Sequence, residues 1–459
     1  MLFVQHKKTI AGAIGLILFL FLLIMGGGTS KIYNALGMAA LMVIFWIFEV
    51  VPIYATALIP LFLATPLGLL NGSDLAQSYG NHNVYLFLGG FILALALEKW
   101  KVHHQIASRI IALFGSSKSR VLLGFGLSAY VLSMWISNTA TTLMMLPMAL
   151  SIIQLQDHEN TSSRFPLLLM LTVAYASSIG GMATLVGSPP NTQMAASLSA
   201  TYGIQISFVE WIRIGGPVSL IIFVLLSVIF QIFLGKERNH EIKNDIQQTR
   251  WTAAQIRVLS LFVFVIVLWI FRTSICDLLE ISIKDSTISI FGAFLLFLVP
   301  SKEQGPLLQW QDTVRVPWGI LVLFGGGIAL ALSLEKSNLL QLLAGHSGFL
   351  QEWSFILILG AIITVSLFAT ELMSNLALVS VLVPLIAVLA IQIGYPILQL
   401  TVPITLAASC AFMMPVSTPP NAIVFSSGKV TIAQMASVGF VLNITAILAL
   451  WGYCYFFFT

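Results

Sequence analysis

The chain has 459 residues, of which 58% are hydrophobic and 8% charged, with a formal net charge of +4. Ordinary soluble domains are roughly a quarter charged, so this composition excludes a soluble enzyme or binding module and indicates an integral membrane protein. The small positive excess calls for no nucleic-acid partner, because membrane proteins concentrate Lys and Arg in their cytoplasmic segments.

Apolar runs follow one another almost end to end. The first, Ile10 to Met25, comes after Lys7 and Lys8. Signal peptides share that charge pattern, but the run is too long and no small-x-small cleavage pattern is evident, so a retained first helix is expected. Leu36 to Val50 and Ile53 to Leu70 follow, and runs of this kind supply the ~20 residues that cross a hydrocarbon core. Next comes FLGGFILALALEK, Phe87 to Lys99. Its glycines read as close helix packing, since no strand precedes them as a phosphate loop requires.

The stretch WISNTATTLMMLP, beginning at Trp135, then sets Ser137, Asn138 and Thr139 at membrane depth. The arm before them, Val121 to Ile136, makes about 24 Å of helix, and the arm after, Ala140 to Ile153, is shorter. Neither comfortably spans ~30 Å of hydrocarbon. The polar segments GSSKSR and QDHENTSSR flank the pair. A re-entrant hairpin is therefore expected, with Ser137, Asn138 and Thr139 at its tip; such backbone is tolerated only where protein or a water-filled cavity surrounds it.

A helix from near Leu167 then meets GSPPN, Gly187 to Asn191. Pro189 and Pro190 remove two amide donors and push Ser188 out of the helical region, so a break is expected at Gly187 and Ser188. A break frees carbonyl oxygens and exposes a half-helix N-terminus, whose positive dipole end attracts anions. Phe208 to Leu234 and Ile256 to Phe271 are further crossings.

From Phe324 the chain repeats itself. FGGGIALALSLEK (Phe324 to Lys336) echoes Phe87 to Lys99, and Ser374, Asn375 and Pro384 match Ser137, Asn138 and Pro147 at the same offset of 237. STPPN, Ser417 to Asn421, echoes GSPPN at an offset of 230. The second hairpin is expected from about Phe355 to Ile393 with Ser374, Asn375 and Leu376 at its tip, and a second break at Ser417 and Thr418. Glu371 is the one carboxylate well inside a hairpin arm; it can carry protons or brace the tip, and the sequence leaves both open. Met435 to Phe458 is the last run.

About eleven crossings and two hairpins result. Five full crossings separate the two SN segments, which therefore approach from opposite sides. That is an inverted-topology repeat, an architecture of secondary transporters that hold substrate near the midplane between the halves. Carbonyls with Ser and Asn side-chain oxygens can replace the water shell of a small hard cation, so one tip and one break per half are expected to make two cation sites with an anion pocket between them. Taken singly, an SN pair is ordinarily interhelical glue and a proline a kink; duplication at matched spacing favours sites.

With the N-terminus inside, the cytoplasmic segments hold Lys7, Lys8, Lys99, Lys101, Arg109, Lys118, Arg120, Arg164, Lys236, Arg238, Lys243, Arg250, Arg257, Lys302, Arg315 and Lys429, which is 16 of the 21 basic residues. The other side holds Lys31, Arg213, Arg272, Lys284 and Lys336. This threading puts the C-terminus outside. Cys276, Cys410 and Cys454 lie far apart, without metal-ligand spacing. The histidines at 6, 82, 103, 104, 158, 240 and 346 are all expected in loops, which argues against a histidine proton relay.

The paired SNT-like and PPN motifs, and SCAFMMPVSTPPNAIVF (Ser409 to Phe425) above all, resemble the divalent anion:sodium symporter family over nearly the whole length. The resemblance implies an all-α elevator-type transporter of the cytoplasmic (inner) membrane, a homodimer that moves a dianion with sodium as coupling ion and no organic cofactor. It implies scaffold helices in 1–120 and 235–354, and a transport domain made of 121–234 and 355–459. It implies a first sodium site at Ser133, Ser137, Asn138 and the Gly187 carbonyl. The second takes Thr370, the Met373 carbonyl, Asn375 and the Ser417 carbonyl. The anion would lie among Ser137, Asn138, Thr139, Ser188, Ser374, Asn375, Thr418 and Pro419. One departure is Leu376, where the family's motif usually carries Thr or Val; a lost hydroxyl makes the pocket asymmetric.

The function expected is sodium-coupled transport of a C4-dicarboxylate such as succinate, malate or fumarate. Sodium-independent exchange, or carriage of sulfate or citrate, stays open, with an anion channel or membrane-embedded enzyme as a remote alternative.

Overall fold

The computed structural model of the chain describes residues 2–154, 163–235, 250–302, 305–339 and 353–459, in which the regular elements are helices. The first half contains α1 (Leu2–Met25), α2 (Lys31–Ile47), the short α3 (Ile53–Thr56) and α4 (Ile59–Leu63), α5 (Gly72–Tyr79), α6 (His82–Lys99), α7 (Val102–Phe114), α8 (Lys118–Ser133), α9 (Asn138–Gln154), α10 (Phe165–Met182), α11 (Pro189–Tyr202) and α12 (Phe208–Leu234). The second contains α13 (Ala253–Ile270), α14 (Arg272–Leu279), α15 (Asp285–Leu298), a 3-10 turn at Trp310–Arg315, α16 (Trp318–Lys336), α17 (Phe355–Thr370), α18 (Asn375–Ile393), α19 (Ile397–Ala408), α20 (Pro419–Ser426) and α21 (Ile432–Phe458).

Among the described residues, eight helical stretches are long and apolar enough to cross a membrane unaided. Other runs expected to cross are shorter or broken: Ile53 to Leu70 yields only α3 and α4, and α15 has 14 residues. Conversely α18 has 19 residues and is itself long enough, so length alone does not make the second hairpin re-entrant. The histidine expectation needs correction. His6 lies in α1, His82 opens α6, and His103 and His104 belong to α7, because α7 is a short helix with one buried face where a loop was expected. His103 is buried with Nδ1 2.8 Å from the Leu97 carbonyl. His158, His240, His346, Lys236, Arg238 and Lys243 lie outside the described residues.

The two halves meet along α6 and α16. Phe87 and Phe324, equivalent in the repeat, touch edge to face with ring centroids 4.9 Å apart. Lys99 at the end of α6 pairs at 2.6 Å with Asp312, just ahead of α16, and Lys336 at the end of α16 pairs at 2.7 Å with Asp74, just ahead of α6. Each acid also closes a capping box, with Asn71 and with Gln309. Since the end of each helix lies beside the approach to the other, α6 and α16 run antiparallel.

The glycines of FGGG admit three different neighbours on consecutive residues. A Cβ on Gly325 would meet the Tyr79 ring, one on Gly326 the backbone of Ala57, and one on Gly327 the Gln193 amide of α11. Close packing is thus their role. One hydrophobic cluster gathers α2, α4 and α16 with Ala196 of α11 and Leu376, Ala377 and Val381 of α18.

Candidate functional site

Both expected hairpins form, with turns at 134–137 and 371–374 between their arms. The tip residues sit differently from the expectation: Asn138 and Asn375 are the first residues of the return helices α9 and α18, so the SN motifs supply half-helix N-termini. Ser137, Asn138, Thr139, Ser374 and Asn375 are half-buried. The breaks are also longer than the prolines alone dictate. Helix α10 stops at Met182 and α19 at Ala408, leaving 183–188 and 409–418 unwound before the Pro-Pro helices begin.

Side chains explain the extra length by capturing the freed backbone groups. In the first half Asn191 Nδ2 donates to the carbonyls of Gly181 (3.0 Å) and Thr184 (2.8 Å). In the second, Asn421 Nδ2 donates to those of Ala411 (3.0 Å) and Met414 (3.1 Å), each 230 positions on. The tips repeat a bond too. Ser133 Oγ donates to Asn138 Oδ1 at 2.6 Å, and Thr370 Oγ1 to Asn375 Oδ1 at 2.8 Å.

Each tip is seated on the break of its own half. Asn138 packs on Gly181, where any Cβ would strike its Oδ1. Thr184 Oγ1 donates to the Met134 carbonyl and accepts the Gly187 amide. A Cβ at Gly187 would stand 2.8 to 3.0 Å from three main-chain oxygens, those of Gly181, Ser133 and Met134. Only glycine fits in this carbonyl cradle. In the second half Thr370 Oγ1 also lies 2.9 Å from the Ala408 carbonyl, so its one proton is shared between that oxygen and Asn375 Oδ1, and Ser417, which replaces Gly187, turns its hydroxyl to the Met414 carbonyl at 2.6 Å. The two breaks abut: Cys410 Sγ lies 3.8 Å from Met182 Sδ, and the Tyr175 hydroxyl donates to the Phe412 carbonyl.

The chemistry of these clusters suits small hard cations, which take oxygen ligands. Of the expected first set, Ser133, Asn138 and Gly187 are brought together, and the Ser137 hydroxyl accepts the Ala140 amide; of the second, Thr370 and Asn375 are bonded, Met373 lies in the turn between them, and Ser417 bonds Met414 and Asn421. The Oδ1 atoms of Asn191 and Asn421 are both buried without a hydrogen-bond partner, and orphaned acceptors of this kind call for an explanation such as an ion or ordered water. Of the candidate anion contacts, Ser188 caps the backbone entry to α11 with its side chain uncommitted, and Thr418 caps α20 through Asn421. Ser188 and Thr418 are buried and Pro419 is exposed. All four half-helices offer positive dipole ends, and no Lys or Arg occurs among these residues.

Glu371 is almost fully buried and accepts from the Phe412, Met413 and Met414 amides and from Asn443 Nδ2. That is the arrangement of a brace. Leu376 is buried in the cluster around α16, so its side chain packs on a neighbouring helix where Thr139 is half-buried. Asn191, Asn421, Thr184 and Gly181 were missed as positioning residues. Two of them stand inside the quoted PPN motifs, and asking which side chain could answer the freed carbonyls would have found them.

Comparisons with known proteins follow the same outline. A family model described as the sodium:sulfate symporter transmembrane region matches residues 5–457. A sodium-dependent dicarboxylate transporter, SdcS, of Staphylococcus saprophyticus is 36% identical over 431 residues, covering 90% of this chain and 83% of that protein. The SdcS of Staphylococcus aureus is 37% identical over 425 residues, 87% of this chain and 81% of that one. Among solved structures, the YdaH transporter of Alcanivorax borkumensis matches with a TM-score of 0.54 at 14% identity, covering 84% of this chain and 90% of that one; this is a likeness of fold.

Proposed function

The chain belongs to the sodium:sulfate symporter family, the divalent anion:sodium symporters, and from that premise we propose sodium-coupled carriage of a C4-dicarboxylate by an elevator motion. It is a membrane transporter and not an enzyme, and sodium is its coupling ion. The substrate class follows the sodium-dependent dicarboxylate transporters it resembles.

One observation carries the elevator reading. The face of α18 formed by Leu376, Ala377 and Ser380 is buried, and α11 is buried with it against α16. The equivalent face of α9 is less covered: Thr139 and Ala140 are half-buried, and Leu143 is 54% exposed where its counterpart Ser380 is 1% exposed. In α20, the counterpart of α11, Pro419, Ala422 and Ser426 are exposed. Two sequence-equivalent surfaces in unequal surroundings are what one of two alternating states looks like. In the other state α9 and α20 would take the places against α6 and α16 that α11 and α18 hold here. The antiparallel pairing of α6 and α16 supports an inverted repeat with these helices in the scaffold.

On this reading sodium occupies the two oxygen clusters, and the dianion lies among Ser137, Asn138, Thr139, Ser188, Ser374, Asn375, Thr418 and Pro419. Bound cations and half-helix N-termini offset its charge. The division into scaffold (1–120, 235–354) and transport parts (121–234, 355–459), a homodimer, and an N-terminus inside with the C-terminus outside complete the proposal. The ion pairs agree with that sidedness, since Lys99 pairs with Asp312, beside Arg315, while Lys336 and Arg272 pair with Asp74 and Asp285 at the opposite end.

The test is uptake into proteoliposomes. An inward sodium gradient should drive accumulation of labelled succinate, competed by malate and fumarate more strongly than by sulfate or citrate. Equal uptake with choline in place of sodium would refute the coupling.

A further inference from the structure

Glu371 follows Thr370, the last residue of α17, and stands two residues before Met373. Its Oε1 accepts from the amides of Phe412 (2.7 Å) and Met413 (2.9 Å) and from Asn443 Nδ2 (2.8 Å), while Oε2 accepts from the Met414 amide (3.0 Å). Three successive amides donating to one side chain fix the curve of the unwound strand. The same strand is gripped from its carbonyl side by Asn421, which also donates to Ser417 Oγ at 3.2 Å. The matched position in the first half is Met134, whose backbone carbonyl takes the Thr184 hydroxyl. A fixed carboxylate therefore stands beside one oxygen cluster, and among the described residues the matched position beside the other is a methionine.

We propose that Glu371 is a positioning residue for the second cation site, and that it makes this site fill at lower sodium than the first. Carboxylates are acceptors only, and hydrogen bonds to them are about twice as strong as neutral ones, so the strand from 412 to 414 is set before the ion arrives. Thr370, Asn375 and Ser417 are then held at fixed separation. The negative charge nearby favours a cation over the vacant site. The proposal rests on the sodium-coupled reading above.

Two measurements test it on the full-length protein: succinate uptake as a function of sodium, and thermal unfolding of the purified protein against sodium without substrate, potassium holding the ionic strength. Outer partners of metal ligands are typically worth about 10- to 100-fold in affinity, so Glu371→Gln should raise half-saturating sodium by roughly tenfold or more in both. The substrate KM at saturating sodium should stay within about threefold, the split that separates cation positioning from substrate contact. Asn443→Ala removes one donor and leaves the carboxylate; it should shift half-saturating sodium the same way by a smaller factor, and it decides the matter if Glu371→Gln does not fold. An unchanged sodium response in the folded variant would overturn the proposal. A wild-type protein that sodium neither drives nor stabilises would overturn the coupling reading itself, and Glu371's role with it.

Discussion

The two breaks solve one problem by different means. In the first, the amide of Gly187 is met by the Thr184 hydroxyl, and the Cβ-free Gly187 lets three carbonyl oxygens converge on the place a side chain would take. In the second, a carboxylate from the hairpin takes three amides in a row, and a serine hydroxyl stands where the glycine was. What both keep is the Asn of the PPN motif, bound to two carbonyls with its own oxygen left over. The shared part marks what the site needs, and the unshared part marks where the halves have been free to specialise.

The strongest blow to this comparison would fall on what is common. Asn138→Ala and Asn375→Ala should each reduce uptake by about 100-fold or more, since each removes a proposed sodium ligand together with the bonding partner of Ser133 or Thr370. Size-exclusion profiles should stay those of folded protein. Substantial uptake by either variant would mean that the two tips do unequal work.

Next is a substitution the halves should feel differently. At Gly181→Ala the new methyl meets Asn138 Oδ1, and uptake should drop by roughly 10-fold or more through displacement of the tip. The equivalent residue is already Ala411, so Ala411→Gly should change uptake by less than about threefold. Comparable losses in both would show that the second tip is as tightly seated as the first.

Leu376→Thr sharpens the other asymmetry. Removing a buried leucine from the contact with α16 should weaken that packing by about 1–3 kcal/mol and, on the proposed elevator reading, populate the opposite-facing arrangement. A cysteine placed at Val416, now 79% exposed, should then react more slowly with a membrane-impermeant thiol reagent, because the second break becomes covered. Unaltered labelling would separate Leu376 from the conformational balance.

The smallest effect belongs to the ion pairs. Burial tends to raise the Asp312 carboxyl, but the bonds from Lys99 and the Gln309 amide hold it below the usual carboxylate range. A depressed folded value means the pair's contribution is present above the unfolded carboxylate pKa and disappears as pH falls through Asp312's lowered one. The pair is partly solvated, so Asp312→Asn should cost less than about 1 kcal/mol at neutral pH, and the difference from wild type should vanish under strongly acidic conditions. A constant difference across the whole range would assign the effect to the capping box.

Much of this was legible in the sequence because duplication leaves a period. The hairpins, both SN tips and both PPN breaks came from three motifs at matched offsets, and α17 and α18 begin and end at Phe355 and Ile393 as expected. What was not legible depends on partners remote along the chain. Glu371 could not be assigned between proton carrier and brace because its donors lie at 412–414 and 443. Leu376 read as a lost pocket hydroxyl, yet its side chain belongs to the cluster around α16, a contact with a helix some forty residues away that no local pattern announces. The breaks exceeded the proline signal because side chains elsewhere hold the strands open.

The crossed ion pairs and the Phe87 to Phe324 contact have the form of an isologous interface, in which residue i of one unit meets j of the other while j meets i. Here both units are on one chain. The join between the halves is therefore specified by a single set of residues used twice, Phe87 meeting its own equivalent at the local twofold. A substitution on one side of it leaves half the original lock in place, so the two halves can drift apart in sequence, as Glu371 and Thr184 have, without coming apart in space.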